Sequence, residues 1–306
     1  MYEDAPPLKV WAYSALTAFS LLFLFLFYCY SWIGPYANAV EKSNKSLEES
    51  LIKNNTTDTS TVSVVILGSS ILERALVDPQ ELEDRIIKET KKKTNVLRVA
   101  IYFMNMPLAE RIDFFKYISK HPPQYLFIEN LGMNLNDAFG EALPTPIDAA
   151  LLHLRNEFRK STGLPVHENY YTKWYNFDTK PLPGNDFYTG EFDSLMFKSF
   201  QAKEMFVRKV SDNEIANEAY EALKGKTKII FLGMPHSDKL RHHFLDEKAT
   251  AEFDNVLAYY KQHYNIDYWP YPGFLPDSCF IDGFHVNYRG AMKYQDWFVS
   301  QFAAMK

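Results

Sequence analysis

The sequence predicts an α/β domain, a parallel sheet of about five strands with helices on both faces, set behind one transmembrane helix. Three observations predict it. Short β-branched runs alternate with amphipathic helical stretches from residue 62 onward, the pattern of β–α–β units. The first run, Val62-Ser63-Val64-Val65-Ile66-Leu67, is apolar nearly throughout and stops at Gly68, as a strand buried on both faces does. Upstream, no charged residue occurs from Val10 to Val40.

Residues 1–9 read as a short tail and 10–33 as a membrane anchor, longer than the roughly 20 residues a helix needs to cross hydrocarbon. Trp11 and Tyr13 flank one end, and Tyr30, Trp32 and Tyr36 the other, as interfacial belts. Gly34-Pro35 is expected to end the helix. Ala37-Asn38-Ala39 has the form of a signal-peptidase site. The apolar run is longer than a signal core, however, and Glu3-Asp4 makes a poor basic leader, so an uncleaved anchor is the expectation. Lys9 on one side and Lys42 and Lys45 on the other leave the positive-inside count undecided. A short tail ahead of a large domain favours export of that domain, which places it outside the cytoplasm. Residues 34–60 read as a polar linker, with glycosylation sequons at Asn44, Asn54 and Asn55.

The domain is expected to occupy 61–306. After the first strand, Asp78-Pro79 opens a helix to Lys92, with Asp78 as cap and Pro79 at the first helical position. Val96–Tyr102 is a second strand, Pro107–Lys120 a helix, Tyr125–Ile128 a third strand and Ile147–Ser161 a helix. Much of 198–224 reads as helical too. Lys228–Leu232 is a fourth strand, Ala249–His263 a helix, Ile266–Trp269 a fifth strand and Tyr288–Phe302 the last helix. An aromatic-rich insertion at about 165–197 has neither period. Its Tyr171, Trp174 and Tyr175 are candidates to stack on sugar rings, or else to close an inserted loop over the core.

A net charge of −5 over 306 residues gives no basic footprint for nucleic acid; Lys91-Lys92-Lys93 ends a helix, where cations are favoured. Cys29 and Cys279, two cysteines in all, provide no disulfide framework. His236, His242 and His243 follow the fourth strand, but with no cysteine and no regular spacing they do not read as a metal site. No cofactor is expected.

Ligands of such sheets lie at the carboxyl ends of the strands. Three places there carry chemical side chains: Gly68-Ser69-Ser70, Gly132-Met133-Asn134 and Asp282-Gly283-Phe284-His285. A serine hydroxyl needs a base to take its proton, and the base needs a third group to hold its tautomer. Ser70, His285 and Asp282 supply the three. The bland alternatives are a turn serine capping the next element for Ser70 and a helix cap for Asp282.

The order of these blocks resembles the SGNH (GDSL-type) hydrolase superfamily over about residues 62–304, which implies a flavodoxin-like sheet. Within it, the anchor, the Gly-Ser-Ser-x-x-x-Arg form from Gly68 to Arg74 and the run Asp282 to Gly290 look most like envelope-tethered members. These are the DltD proteins of teichoic acid D-alanylation and the alginate-type O-acetylation proteins. The resemblance implies a serine-dependent O-acyltransferase or acyl esterase acting on a surface glycan beside a multi-spanning membrane O-acyltransferase. It also implies an oxyanion hole from the Ser70 N–H and Asn134, with Asn130 and Asn136 as rivals of Asn134. The family's second block, a glycine after strand two, is missing from Tyr102-Phe103-Met104-Asn105-Met106-Pro107. A backbone N–H near Asn105, or the Asn105 amide itself, is the substitute donor expected there. The rival from another class is a non-catalytic assembly factor that binds glycan or a membrane partner.

Overall fold

The computed structural model describes residues 7–55, 60–76, 78–101, 113–130, 135–136, 145–166, 175–176, 206–207, 209–237, 247–281 and 285–305. In chain order the elements are α1 (Leu8–Ser31), α2 (Ile33–Asn54), β1 (Val62–Gly68), α3 (Ser70–Ala75), α4 (Pro79–Thr90), β2 (Thr94–Ile101), α5 (Phe114–Lys120), β3 (Tyr125–Glu129), β4 (Leu135–Asn136), α6 (Pro146–Ser161), β5 (Tyr175–Asn176), β6 (Phe206–Val207), α7 (Glu214–Leu223), β7 (Lys228–Leu232), α8 (Glu247–Tyr264), β8 (Asp267–Trp269) and α9 (Tyr288–Ala304). They fall into two compact units: Met1–Lys42 with Pro144–Trp174, and Ser43–Leu143 with Tyr175–Lys306.

In the first unit α1 is long and apolar enough to cross a membrane; its 24 residues extend about 36 Å at 1.5 Å per residue. Helix α6 packs along its end, where the Tyr28 hydroxyl donates to the Ala150 carbonyl at 3.4 Å and the rings of Trp32 and His153 lie 4.6 Å apart.

The second unit holds the sheet, ordered β5-β2-β1-β3-β7-β8. Strands β2-β1-β3-β7-β8 are parallel, and the two residues of β5 add an antiparallel edge to β2. This is the 2-1-3-4-5 order of the flavodoxin-like fold. Both faces are covered. Val64, Ile66 and Phe127 lie with Leu82 and Ile86 of α4 and Phe298 and Phe302 of α9; Phe127 meets Phe298 at 4.9 Å and Trp269 at 5.2 Å. On the far side Phe231 contacts Tyr220 of α7 and Tyr260 of α8, and Phe115 of α5 meets Tyr220 edge-on. Such two-sided burial explains why the strands read as continuous apolar runs.

Two stretches differ from their sequence reading. Residues 34–60, expected as a polar linker, are helical to Asn54. The break after α1 falls at Trp32, and Pro35 stands in the first turn of α2, where a missing N–H costs no intrahelical bond. Leu47 and Leu51, one turn apart, are fully buried, and Glu48 pairs with Lys120 and faces His121. The pair with Lys120 holds the Glu48 carboxyl below its usual range. Among the described residues of 198–224, where much helix was expected, Phe206–Val207 is a strand paired with β4, Val210–Asp212 a 3-10 turn and Glu214–Leu223 an α-helix.

Candidate functional site

The switch point of the sheet lies between β1 and β3, since the chain crosses to β2 on one side of β1 and to β3 on the other. Strand β1 ends at Gly68, and the two serines after it have separate tasks. Ser69 caps α3, its hydroxyl accepting from the Ile71 N–H at 3.1 Å. Ser70 is the first residue of α3 and places its Oγ 2.9 Å from His285 Nε2, across 215 residues of sequence. The capping role considered for Ser70 therefore falls to its neighbour.

His285 stands three residues before the first residue of α9. A bridge pairs Phe280 with Val286, and the Ile281 N–H donates to the His285 carbonyl at 2.8 Å. Asn287 ties these residues to the helix. Its side-chain oxygen accepts from the Arg289 and Gly290 N–H groups, and its amide donates to the carbonyls of Ser278 and Phe280. Gly290 is required because a Cβ there would lie 2.4 Å from the Cys279 carbonyl oxygen.

Asp282, Asn105, Asn134, Tyr171 and Trp174 lie outside the described residues, as do His242 and His243. Tyr175 is described by its backbone, which pairs with Ile101 at the sheet edge. The Ser70 N–H, at the head of α3, has no carbonyl one turn back within the helix to donate to.

The structure adds a residue that the sequence reading does not single out. Glu129, the last residue of β3, is fully buried. It accepts from the Ser69 N–H at 2.6 Å and from the Ser69 hydroxyl at 2.9 Å to either oxygen; the Leu72 N–H donates to it as well. Burial pushes its carboxyl up, against the pull of these donors and of nearby His285. At the other end of α3, buried Arg98 of β2 donates to the carbonyls of Glu73 and Leu76 at 3.0 and 2.7 Å. The short helix carrying Ser70 is thus held by an acid at its first N–H groups and a base at its last carbonyls. Tyr294 of α9 forms part of the layer below: its hydroxyl donates to the Gly233 carbonyl, and burial, reinforced by Glu129, keeps it well above its usual range.

Glu129 binds its proton more tightly folded than unfolded. Its titration therefore contributes stability fully below the ordinary carboxylate pKa, and that stability is lost as pH rises through the raised value. We expect the urea midpoint of wild type, relative to that of Glu129→Gln, to fall as pH is taken from acidic to neutral. A pH-independent difference between the two would show that Glu129 does not titrate in this way. At every pH the amide should also be less stable, since it turns one acceptor into a donor facing N–H groups.

Fold and site together define a class: a flavodoxin-ordered α/β protein with a serine–histidine pair at the carboxyl edge of its parallel sheet. No protein-family model and no curated protein matches the chain. Among solved structures it is similar to a candidate platelet activating factor from Streptococcus pneumonia, at 12% identity and a TM-score of 0.32, covering 86% of this chain and 95% of that one. At that level of likeness the class rests on the strand order and the Ser70–His285 pair themselves.

Proposed function

We propose that the chain is a membrane-anchored serine acyltransferase of the SGNH type, in which Ser70 is the nucleophile and His285 the base. The supporting observation is the 2.9 Å contact of Ser70 Oγ with His285 Nε2, within reach for direct proton transfer. With its proton on Nδ1, His285 accepts the Ser70 proton at Nε2 as Oγ bonds to an acyl carbonyl carbon. Asp282 is assigned the Nδ1 side. The tetrahedral oxyanion is assigned to the Ser70 N–H with Asn134 or Asn105. Collapse breaks the bond to the leaving oxygen, which takes the proton from His285. An acceptor hydroxyl then gives its proton to His285 and attacks the Ser70 ester; the bond to Ser70 Oγ breaks, and Oγ takes that proton back from His285.

The acceptor is proposed to be a sugar hydroxyl of a surface glycan, and the acyl group acetyl, supplied by a multi-spanning acyltransferase. The aromatic composition of 165–197 and the apolar α1 support that reading, with the domain on the extracytoplasmic side. The test incubates the purified full chain and Ser70→Ala with a small aryl acetate and follows the acyl adduct by intact mass, with and without glycan acceptor. An adduct absent from Ser70→Ala, discharged faster by glycan than by water, is the expected result. Discharge by water alone makes the protein an esterase of the same site. A folded wild type with no adduct at Ser70, even with membrane fractions added, favours a non-catalytic assembly factor.

A further inference from the structure

Helix α6 carries an apolar stripe that no described residue of its own unit covers. Ile147, Leu151, Leu154 and Phe158 are 49, 43, 50 and 65% exposed. Their spacing of four, three and four residues sets them on one face of the helix. Ala149, Ala150 and Asn156, which are buried, and His153, whose ring lies tilted against Trp32, occupy the face towards α1. The stripe points away from it.

We infer that this stripe is a membrane-contacting surface, seated in the boundary layer of the same bilayer that α1 crosses. The inference rests on α1 being a membrane span, as proposed above. Tyr28 meets Ala150 and Trp32 meets His153, so the two helices run side by side in the same direction at the outer end of the apolar run. A helix held there meets whatever medium surrounds α1 at that level. Counted at about 1.5 Å per residue, Ile147 lies about 5 Å to the apolar side of Ala150 and Phe158 about 12 Å to the other. That reach covers the edge of the hydrocarbon and the headgroup layer.

Charge is distributed to match. Between Pro146 and Leu152 the only charged residue is Asp148, whose carboxylate accepts from the backbone and hydroxyl of Thr145 in a capping box. Arg155, Arg159 and Lys160 all stand in the outer half, where long cationic side chains reach headgroups while their stems lie along apolar surface. A lipid surface accounts for both halves of the helix; a second copy of the chain would have to bury this cationic end against itself.

The test places single cysteines in the full chain at Leu154, Phe158 and Glu157, and at Leu22 in α1, for labelling with an environment-sensitive fluorophore. The native Cys29 and Cys279 are buried and give the background. In vesicles whose acyl chains are brominated at a defined depth, the labels at Leu154 and Phe158 should be quenched several-fold more than the label at Glu157. The Glu157 label should instead respond to aqueous iodide. Leu22 quenched while Leu154 responds only to iodide would overturn the inference and leave the span intact. Leu22 unquenched would remove the span, and this inference with it. A Leu154 label shielded from both quenchers would mean that protein covers the stripe, and would equally overturn it.

Discussion

His285→Ala is expected to lower kcat for acyl release by roughly 10⁴- to 10⁶-fold, the loss seen when a hydroxyl nucleophile is parted from its base. The imidazole lies 2.9 Å from Ser70 Oγ, and without it the proton has no acceptor in place as the bond to carbon forms. KM should change little, because the loss falls on the transition state rather than on ground-state binding. The more discriminating measurement is Ser70→Ala/His285→Ala. If the two residues act as a unit, the double variant retains the same residual rate as either single one. Losses that multiply would mean that the 2.9 Å contact is not the working one. The fold should tolerate these changes: His285 is only partly buried, and backbone bonds from Ile281 and Asn287, with the Asn287 amide, also hold the segment before α9.

Much of this arrangement can be read along the chain. Strands β1, β3 and β7 coincide with apolar runs, because burial on both faces leaves no polar alternation to confuse the period; β2 is legible despite Arg98 in its middle, and β8 is the short, half-buried Asp267-Tyr268-Trp269. The meeting of Ser70 and His285 is legible because a hydroxyl and the imidazole proposed as its base have to converge at strand ends whatever separates them in sequence. Glu129 is not, since it stands at the end of Tyr125-Leu126-Phe127-Ile128 and reads as the polar residue that stops a strand. The available signal is a carboxylate directly after an apolar run at the carboxyl edge, where burial is the rule. Helix α2 is hidden for a different reason: the polar composition of 41–60 outweighs its few apolar residues, and tertiary burial of Leu47 and Leu51 decides the conformation. The second helix face of α6 illustrates the reverse, an apolar period that is real but turned outward.

Gly68→Ala is expected to be the most damaging substitution for the fold of the site, at about 3 kcal/mol or more. An ideal Cβ at residue 68 would lie 2.4 Å from Leu72 Cβ, 2.5 Å from Leu72 Cδ2 and 2.8 Å from Glu129 Oε2, all well inside the roughly 3.5 Å at which such contacts turn attractive. Leu72 Cδ2 could swing aside, but Leu72 Cβ moves only with the backbone of α3. That helix is held at Ser69 and Leu72 by Glu129 and at Glu73 and Leu76 by Arg98. Relief therefore requires either breaking those buried charge-assisted bonds, which is costly, or shifting Ser70 away from His285. Urea titration should show the loss of stability, and the folded fraction should show a depressed rate of adduct formation. A second-site pair separates this account from simple overpacking of the leucine. In a Leu72→Ala background the offending Cβ remains, so Gly68→Ala should cost nearly as much as before. In a Leu72→Gly background the nearest obstacle is gone, and most of the cost should vanish. Equal relief by both would place the clash in the Leu72 side-chain terminus, and α3 would then be less firmly fixed between Glu129 and Arg98 than these bonds imply.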